Sequence, residues 1–460
     1  MPVGPEDFRF LKEMHGRLGI DEPLHPGSPY YEPLHESDIQ DNPVAQLRTT
    51  IEFATVESMQ LFSGFRGSGK TTELLRLKQQ LEEAGYVVAY ASAMDFLNPA
   101  EPLDIGELLV VLAAAFGEAV EDIPGAAIPV NPFWDRLVNF LTNTTVTRTE
   151  IGGSAGFETP LSAVLGKLQS KVDLKLELKT PSSFRQNLQR VLNAHLPTLR
   201  QNVSDYCAEV VKRIRLERGA DTNVVFLFDQ LEQMRGGLLT EQEVIRSIER
   251  VFTTHLDYLR IPFLHLVYTV PPWLKFMTPG MMTPMVLLPT RHLWENDADR
   301  SPTRSNQALF HAVVRRRMGD DGLARLFGAE PAERERLVDR LIDACGGHLR
   351  DLLRLLQETV VRARAADALP IGEPVVTAAI NAVRRSFLPI AQADAKWLAE
   401  IARNRATALP DTDPAAINRL GRFLDSHAVL YFVNADEWYD IHPLIRDEVE
   451  KMIVAGAADG

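Results

Sequence analysis

The strongest constraint on this chain is the eight-residue stretch 64–71, Gly-Phe-Arg-Gly-Ser-Gly-Lys-Thr. It matches the pattern G-x-x-x-x-G-K-[ST] at every fixed position, and it stands between a short apolar strand pattern and the start of a helical one. Glycines permit backbone angles that a β-carbon forbids, so successive N–H groups can point inward at a phosphate. The helix that follows presents the positive end of its dipole to the same phosphate. The stretch therefore predicts a phosphate-binding loop between a strand and a helix.

The side chains of this loop have separate predicted roles. Lys70 supplies a mobile positive charge to the phosphates, and the hydroxyl of Thr71 is a predicted magnesium ligand. The other predicted nucleotide-binding residues of the loop are Gly64, Phe65, Arg66, Gly67, Ser68, Gly69 and Thr72. The chain lacks the guanine-reading sequence N-K-x-D, which favours ATP and ADP over guanine nucleotides. The predicted cofactors are therefore ATP or ADP together with Mg²⁺.

A second chemical pattern begins at residue 224, where Val-Val-Phe-Leu-Phe is followed by Asp229. A continuous apolar run of this length is typical of a buried parallel strand, and ligands bind at the carboxyl ends of such strands. Asp229 is therefore a second predicted magnesium ligand. The next residue is Gln230, which cannot accept a proton as a glutamate there would. Two alternatives remain: Glu232 acts as the general base, or Gln230 only orients the attacking water.

Length and composition narrow the class of protein. A chain of 460 residues has room for two to four domains of about 100 to 200 residues. The formal net charge of −13 disfavours a protein whose main task is to coat nucleic acid, since that task needs a basic face. Two distant cysteines predict neither a disulfide framework nor a thiolate metal site. The chain shows no secretory signal and no apolar run long enough to span a membrane, so we expect a cytoplasmic protein without a membrane partner.

The order of patterns along the chain predicts an α/β fold, with a doubly wound parallel sheet, in four parts. Residues 1–43 are rich in proline and poor in periodicity, which predicts an arm that lies across a neighbour. Residues 44–300 form the predicted phosphate-loop domain, and residues 97–220 interrupt it as an inserted module. The insertion either docks a partner or merely decorates the fold. Residues 301–385 are predicted to be helical, and the remainder of the chain to form a winged helix.

Within these parts, several shorter patterns predict individual elements. In the insertion, residues 105–119 and 133–141 show helical patterns, and residues 144–151 are rich in β-branched side chains. Residues 172–179 alternate apolar and charged side chains, as in one strand of a hairpin. Residues 184–216 have one apolar helical face, with Pro197 as a kink or boundary. The winged-helix prediction rests on amphipathic helices at 397–403 and 416–424 and on hairpin strands at 429–433 and 438–441.

The phosphate loop, the strand ending at Asp229 and the polar Thr269 at the end of the next strand together resemble the AAA+ and STAND families of P-loop ATPases, particularly Orc1/Cdc6-like proteins. The resemblance covers residues 40 to about 450 and implies that Thr269 acts as the catalytic "sensor 1" residue. The segment 345–356, Cys-Gly-Gly-His-Leu-Arg-Asp-Leu-Leu-Arg-Leu-Leu, resembles the helical lid of that family. Arg350 matches the arginine that reaches the γ-phosphate there as "sensor 2", and a solvated charged face is the alternative. The insertion and Gln230 depart from the family pattern.

The resemblance also implies roles for residues outside this core. His442 stands where STAND proteins carry a histidine that senses the diphosphate of ADP, although an ordinary structural histidine is the favoured interpretation. Arg291 and the run Arg315-Arg316-Arg317 are candidates for an arginine donated to the ATP of a neighbouring subunit. For any single one of these arginines, a plain surface role is favoured.

We expect an ATP-binding, slowly ATP-hydrolysing switch that controls assembly into a homo-oligomer or with a separate effector protein. One alternative is an Orc1/Cdc6-like ATPase that binds nucleic acid through the winged helix, and another is a nucleotide-binding scaffold without turnover. The helix before the hairpin offers only Arg419 and Arg422, offset by Asp425, which is little positive charge for binding DNA. A DNA-binding assay at two salt concentrations distinguishes the classes, since phosphate contacts make affinity fall steeply with salt.

Overall fold

The computed structural model of the chain describes residues 3–20, 22–36, 42–121, 123, 179, 183–237, 239–277, 283–407, 414–434 and 436–458. The predictions for residues 133–141, 144–151 and 172–178 lie outside the described residues. Packing divides the chain into two compact units. Unit 1 consists of Met1–Pro43, Gly64–Arg76 and Leu287–Gly460, and unit 2 of Val44–Ser63 and Leu77–Val286. The phosphate loop is therefore grouped with the C-terminal half of the chain.

A five-stranded sheet carries the two chemical patterns. Its strands are β1 (Met59–Gly64), β2 (Val87–Ser92), β3 (Val224–Asp229), β4 (His265–Val270) and β5 (Met285–Leu288). They lie in the order β2-β3-β4-β1-β5, and the pairs β2–β3, β3–β4 and β1–β4 are parallel. Strands β1, β3 and β4 are buried along their whole length, as expected for parallel strands covered on both faces. The predicted α/β P-loop fold is confirmed.

The register of the sheet aligns the polar ends of its strands. Ser92 at the end of β2 is paired with Asp229 at the end of β3, and Phe228 is paired with Tyr268, directly before Thr269. Because parallel strands end at the same edge, these polar side chains share one edge of the sheet. Strand β4 lies between β1 and β3, so Thr269 stands between the strand that enters the phosphate loop and the strand that ends in Asp229.

Helices flank the sheet, and several of those in unit 2 pack a core against it. Helix α2 (Pro43–Glu52) precedes β1, and α3 (Lys70–Glu83) follows the phosphate loop. The later helices are α4 (Ile105–Glu121), α5 (Ser183–Ala194), α6 (Leu196–Arg218), α7 (Glu241–Phe252) and the single turn α8 (Leu274–Met277). Helix α4 packs on α5, α6 and β2. The boundary predicted near Pro197 is correct, because Pro197 lies in the first turn of α6, where a proline needs no hydrogen bond from its nitrogen.

Helices of unit 1 enclose a second core. They are α1 (Pro5–Arg17), α9 (Arg304–Phe327), α10 (Pro331–Cys345), α11 (Leu349–Ala365) and α12 (Glu373–Arg384). Helix α1 lies within the segment predicted to be an arm, and it packs against α9 and α11 of its own chain. Its buried residues Phe10, Leu11 and Met14 recur at helical spacing. The prolines at 23, 26, 29 and 33 obscured this short pattern in the sequence.

The C-terminal segment contains the predicted helices and hairpin. It comprises α13 (Gln392–Asn404), α14 (Pro414–Asp425), β6 (Val429–Asn434), β7 (Asp436–Ile441) and α15 (Pro443–Ala458). The two strands pair antiparallel from Val429–Ile441 to Asn434–Asp436, so the hairpin is longer than predicted and its turn is shorter. Phe432 and Trp438 stack across it with ring centroids 4.3 Å apart. Assignment of this segment as a winged helix stays a prediction.

Two further expectations concern cysteines and membrane segments. Cys207 and Cys345 are both buried, and neither forms a disulfide. Burial raises the pKa of each thiol, which keeps both in the inert, protonated form. Among the described residues, no helix has the length and apolar character needed to cross a membrane.

The core of unit 2 generates a stability prediction. Phe226 of β3 is 1% exposed and contacts the rings of Phe116 and Phe228 at centroid distances of 5.3 and 5.7 Å. We expect Phe226→Ala to lower the opening free energy of β3 by about 3–5 kcal/mol, because it removes buried apolar area and leaves a cavity. Native-state hydrogen exchange of β3 peptides measures this change. The matched control Phe53→Ala, at a ring that is 83% exposed, should change protection by less than about 0.5 kcal/mol. Equal effects of the two variants would contradict this packing.

Candidate functional site: the phosphate loop and the carboxyl edge of the sheet

The phosphate loop has the backbone geometry that its glycines predict. Gly67 and Gly69 have φ values of +85° and +96°, in the left-handed region that a β-carbon disfavours. Lys70 is 6% exposed, and its ammonium donates hydrogen bonds to the carbonyl oxygens of Gly64 at 2.9 Å and Phe65 at 3.0 Å. The hydroxyl of Ser68 donates to the Phe65 carbonyl at 2.9 Å. The lysine thus lies within the loop that it is predicted to serve, and the loop's own carbonyls hold it there.

The N-terminal segment contacts the start of α3. The backbone N–H of Leu24 donates to the Thr72 hydroxyl at 3.1 Å. Seven residues later, the Tyr31 hydroxyl donates to Glu73 Oε1 at 2.9 Å and accepts from Arg76 at 2.8 Å. Burial and the neighbouring Glu73 raise the pKa of Tyr31, so this hydroxyl stays protonated as a donor. Sequence reasoning missed these contacts, because residues 24–31 carry no pattern that marks a binding partner.

The segment that begins helix α11 crosses the phosphate loop at Gly67. A β-carbon built on Gly67 would lie 2.6 Å from Cβ, 2.8 Å from Cδ and 2.8 Å from Nε of Arg350. His348, two residues earlier, donates from Nε2 to the Arg66 carbonyl at 3.0 Å, since a carbonyl can only accept. Strand β6 also reaches the loop, where the Tyr431 ring packs 6.1 Å from the Phe65 ring. Unit 1 therefore brings the predicted sensor 2 arginine directly onto the phosphate loop.

A buried carboxylate lies behind His348. Asp351 Oδ2 is 2.8 Å from His348 Nδ1, 3.1 Å from His427 Nδ1 and 3.4 Å from His442 Nε2. We call Asp351, His348, His427 and His442 the Asp351 cluster. Burial alone would raise the pKa of Asp351, but the three histidines that surround its carboxylate, His348 first among them, hold it below its ordinary value. Burial also lowers the pKa of His427 to about 4. Asp351 is therefore ionised and His427 neutral at physiological pH.

His442, a predicted nucleotide contact, is fully buried in this cluster. Its Nδ1 accepts the backbone N–H of Leu444 at 3.2 Å, and its ring packs 4.8 Å from that of Phe387. Burial lowers the pKa of His442, which favours the neutral ring. It reaches the Arg66 carbonyl only through Asp351 and His348. Direct contact with a diphosphate therefore stays a prediction.

The carboxyl edge of the sheet, in unit 2, fixes Asp229 and Gln230. Asp229 is fully buried; Oδ2 accepts from the Tyr90 hydroxyl at 2.9 Å, and Oδ1 accepts the backbone N–H of Gln230 at 2.7 Å. Gln230 has a left-handed backbone with φ of +72°, and its Oε1 accepts from the Ser92 hydroxyl at 2.7 Å. The Thr269 hydroxyl accepts the backbone N–H of Leu231 at 3.2 Å. These hydrogen bonds hold the predicted site residues Asp229, Gln230 and Thr269 at one edge of the sheet.

Tyr90 and Ser92 are positioning residues that sequence reasoning missed. Tyr90 fixes the predicted magnesium ligand, and burial together with Asp229 raises the pKa of its hydroxyl. Ser92 holds the amide oxygen of Gln230, the residue directly after Asp229. Both lie at the carboxyl end of β2 and are two residues apart, so their side chains point to the same face of the sheet. That spacing was visible in the sequence, but the neighbour of β2 was not.

The remaining candidates occupy different environments. Glu232 is half-buried in a short 3₁₀ turn directly after Gln230. Arg291 is buried and donates to Asn306, and Arg317 is buried and donates to the carbonyl of Arg17. Arg315 and Arg316 are more exposed and pair with Asp320 and Glu32. Donation of an arginine to the ATP of a neighbouring subunit stays a prediction. Because Arg291 and Arg317 are buried, Arg315 and Arg316 are the more accessible candidates.

Comparison with profiles of known protein families found no match, and comparison with curated proteins also found none. Solved structures similar to the chain include the Aeropyrum pernix ORC2 protein in its ADP form (12% identity, TM-score 0.43, 96% of this chain and 98% of that one). They also include the Walker-type ATPase PABY2304 of Pyrococcus abyssi (12%, 0.39, 95% and 99%) and the Aeropyrum pernix ORC1 protein in complex with DNA (13%, 0.33, 96% and 96%).

The contact between Gly67 and Arg350 generates a prediction with an internal control. Alanine at either Gly67 or Gly69 should cost roughly 1–2 kcal/mol of stability through its left-handed backbone. Only at Gly67 does the new β-carbon also meet Arg350, whereas nothing lies within 4 Å at Gly69. Gly67→Ala should therefore lower the unfolding temperature of the nucleotide-free protein more than Gly69→Ala does. In an Arg350→Ala background, Gly67→Ala should lower the unfolding temperature no more than Gly69→Ala does, and a double-mutant cycle measures this difference. Identical effects in both backgrounds would mean that Arg350 does not cross the loop.

Proposed function

We propose that the protein is an ATP-binding and slowly ATP-hydrolysing switch of the AAA+/STAND type. The observation that carries this proposal is the placement of Arg350 and His348 on the phosphate loop. A lid that touches the loop through an arginine can respond to the number of phosphates in it, since a guanidinium binds phosphate strongly and stays charged. The output is assembly with another copy of the chain or with an effector protein.

The chemistry proposed for the site follows from its side chains. Backbone N–H groups of the loop and Lys70 hold the β- and γ-phosphates, and Thr71 with Asp229 hold Mg²⁺. Magnesium, when bound, neutralises phosphate charge that develops during transfer. Tyr90 donates to one oxygen of Asp229 and thereby leaves fewer orientations open to the carboxylate. Ser92 similarly holds the Gln230 side chain by its amide oxygen.

The alternatives remain a nucleic-acid-binding ATPase and a scaffold without turnover. For the first, the helix before the hairpin is weak support, because Arg419 lies 3.6 Å from Asp394 and its charge is thus partly offset. For the second, Gln230 removes one candidate base but leaves Glu232, two residues later in the 3₁₀ turn. The switch is favoured because it uses the contact between Arg350 and the loop, which neither alternative requires.

Nucleotide titration tests the proposed roles of Lys70 and Arg350. Wild type should bind ATP and ADP with Mg²⁺, and Lys70→Ala should lose most affinity for both, because the phosphates lose their nearest cation. Arg350→Ala should keep its affinity for ADP and lose its preference for ATP by about tenfold or more, since only ATP offers a γ-phosphate. Isothermal titration calorimetry measures all four affinities. Equal losses for ATP and ADP in Arg350→Ala would assign that arginine a structural role only.

Turnover tests the proposed role of Gln230. Without a general base or an arginine from a neighbour, sites of this type turn over at about 10⁻⁴ to 10⁻² per second, and a supplied arginine accelerates them roughly 10³- to 10⁵-fold. We expect the dilute protein to fall in that slow range and to accelerate with concentration or partner. Gln230→Glu should raise the rate if a missing base limits it, because the Ser92 hydroxyl can also donate to a carboxylate there. Glu232→Gln should abolish turnover if Glu232 is the base. Fast, concentration-independent hydrolysis that survives Glu232→Gln is the contrary result.

A further inference from the structure

The Asp351 cluster contains a buried histidine nitrogen that has no hydrogen-bond partner. His348, Asp351 and His427 are all buried, and Asp351 is fully so. His348 Nδ1 lies 2.8 Å from Asp351 Oδ2, yet that nitrogen has no hydrogen-bond partner. Buried polar atoms in native proteins are nearly always paired, so an orphaned nitrogen beside a carboxylate calls for an explanation.

The tautomer of His348 follows from its other ring nitrogen. Nε2 faces the Arg66 carbonyl at 3.0 Å, and a carbonyl only accepts, so Nε2 carries the hydrogen. In the neutral ring, Nδ1 then has a lone pair, and this nitrogen lies 2.8 Å from Asp351 Oδ2. Two lone pairs at 2.8 Å repel each other unless a cation lies between them. That cation is either a proton, which forms an imidazolium, or a metal ion.

His427 supplies a third donor atom at the same place. In the metal-free protein its Nδ1 donates a hydrogen bond to Asp351 Oδ2 at 3.1 Å, and a metal ion at this place would replace that proton. The rings of His348 and His427 approach to 3.8 Å between centroids. The three donor atoms all lie within 4.8 Å of one another. A zinc ion binds imidazole nitrogen and carboxylate oxygen at about 2.0–2.2 Å, so donors around one ion stand roughly 3–3.5 Å apart. The observed spacings of 2.8 and 3.1 Å to Oδ2 are close to that range.

We propose that His348 Nδ1, Asp351 Oδ2 and His427 Nδ1 form a binding site for a divalent transition-metal ion of the zinc type. Two imidazoles and one carboxylate suit Zn²⁺ and its neighbours in the first row, whereas Mg²⁺ and Ca²⁺ prefer oxygen ligands throughout. His442 belongs to the outer shell: its Nδ1 accepts from Leu444 N–H, so Nε2 carries the hydrogen, and that nitrogen lies 3.4 Å from Asp351 Oδ2. Arg354 donates to the other carboxylate oxygen, Oδ1, at 3.1 Å.

The residues around the proposed site hold its ligands by the same kind of hydrogen bond as in known metal sites. A histidine ligand typically donates its second N–H to a carbonyl or carboxylate, which fixes the ring. Here the acceptor for His348 is the carbonyl of Arg66 in the phosphate loop. The ion would join the start of α11, which carries His348 and Asp351, to the turn before β6, which carries His427. Metal occupancy therefore bears on the phosphate loop through one hydrogen bond, independently of whether ATP is hydrolysed.

Cobalt substitution tests the proposal on the full-length protein without nucleotide. Co²⁺ added to chelator-treated wild type should bind at one equivalent and give visible d–d absorption from a low-coordinate nitrogen and oxygen site. Zn²⁺ should displace it and raise the unfolding temperature, because a ligand that binds only the folded state stabilises it. His427→Gln should weaken metal binding by more than the ~10- to 100-fold that loss of an outer-shell partner costs.

His311 offers a matched control. Its Nε2 lies 2.6 Å from Asp339 Oδ1, a histidine–carboxylate pair at which no third metal-binding group was found among the described residues. His311→Gln should therefore bind Co²⁺ like wild type. Asp351→Asn should also lose Co²⁺ binding. If circular dichroism shows that this variant does not fold, the wild-type spectrum and His427→Gln still decide the question. No stoichiometric binding by wild type, or binding that survives in His427→Gln, overturns the proposal and leaves a proton as the cation between His348 and Asp351.

Discussion

The absence of a β-carbon at Gly67 is the constraint on which the arrangement of unit 1 depends. The Arg350 side chain occupies the space where that carbon would lie, so the lid helix α11 can approach the phosphate loop only over a glycine. A second close approach sets the start of the helix. Gly347 has φ of +84°, and a β-carbon there would lie 1.8 Å from the Arg291 carbonyl. Two backbone positions therefore allow His348 and Arg350 to reach the loop together.

Burial of Asp351 imposes a second requirement on the same segment. A fully buried carboxylate is stable only when cations or donors surround it, and loss of one partner typically costs about 3–5 kcal/mol. Its partners come from three places: His348 and Arg354 on either side along α11, His427 before β6 and His442 after β7. The charge of one aspartate thus holds helix α11 and the hairpin together. Through His348 the same group is also connected to the Arg66 carbonyl of the phosphate loop.

The parts of this site that could be predicted are those with fixed local spacing. Eight consecutive residues were enough to predict the phosphate loop, and the apolar run before Asp229 was enough to predict that residue's place at the end of a strand. Arg350 was identified from a segment that also contains His348 and Asp351, three residues apart at a helix start. What the sequence could not supply was His427, because it lies 76 residues beyond Asp351 and meets it only through tertiary packing. Tyr90 and Ser92 were missed for the same reason, since strand order decides that β2 lies beside β3.

The hydrogen bonds of Lys70 determine how a nucleotide can act as a switch, on the function proposed here. Its ammonium donates to the Gly64 and Phe65 carbonyls, and a phosphate that takes up those donors must displace both bonds. The β-phosphate is common to ADP and ATP, so the part of the affinity that Lys70 contributes through it is the same for both nucleotides. A ligand shifts a conformational equilibrium only by its difference in affinity for the two states. The free energy that separates ATP from ADP therefore comes from contacts with the γ-phosphate, and in unit 1 the arginine that already crosses the loop is Arg350.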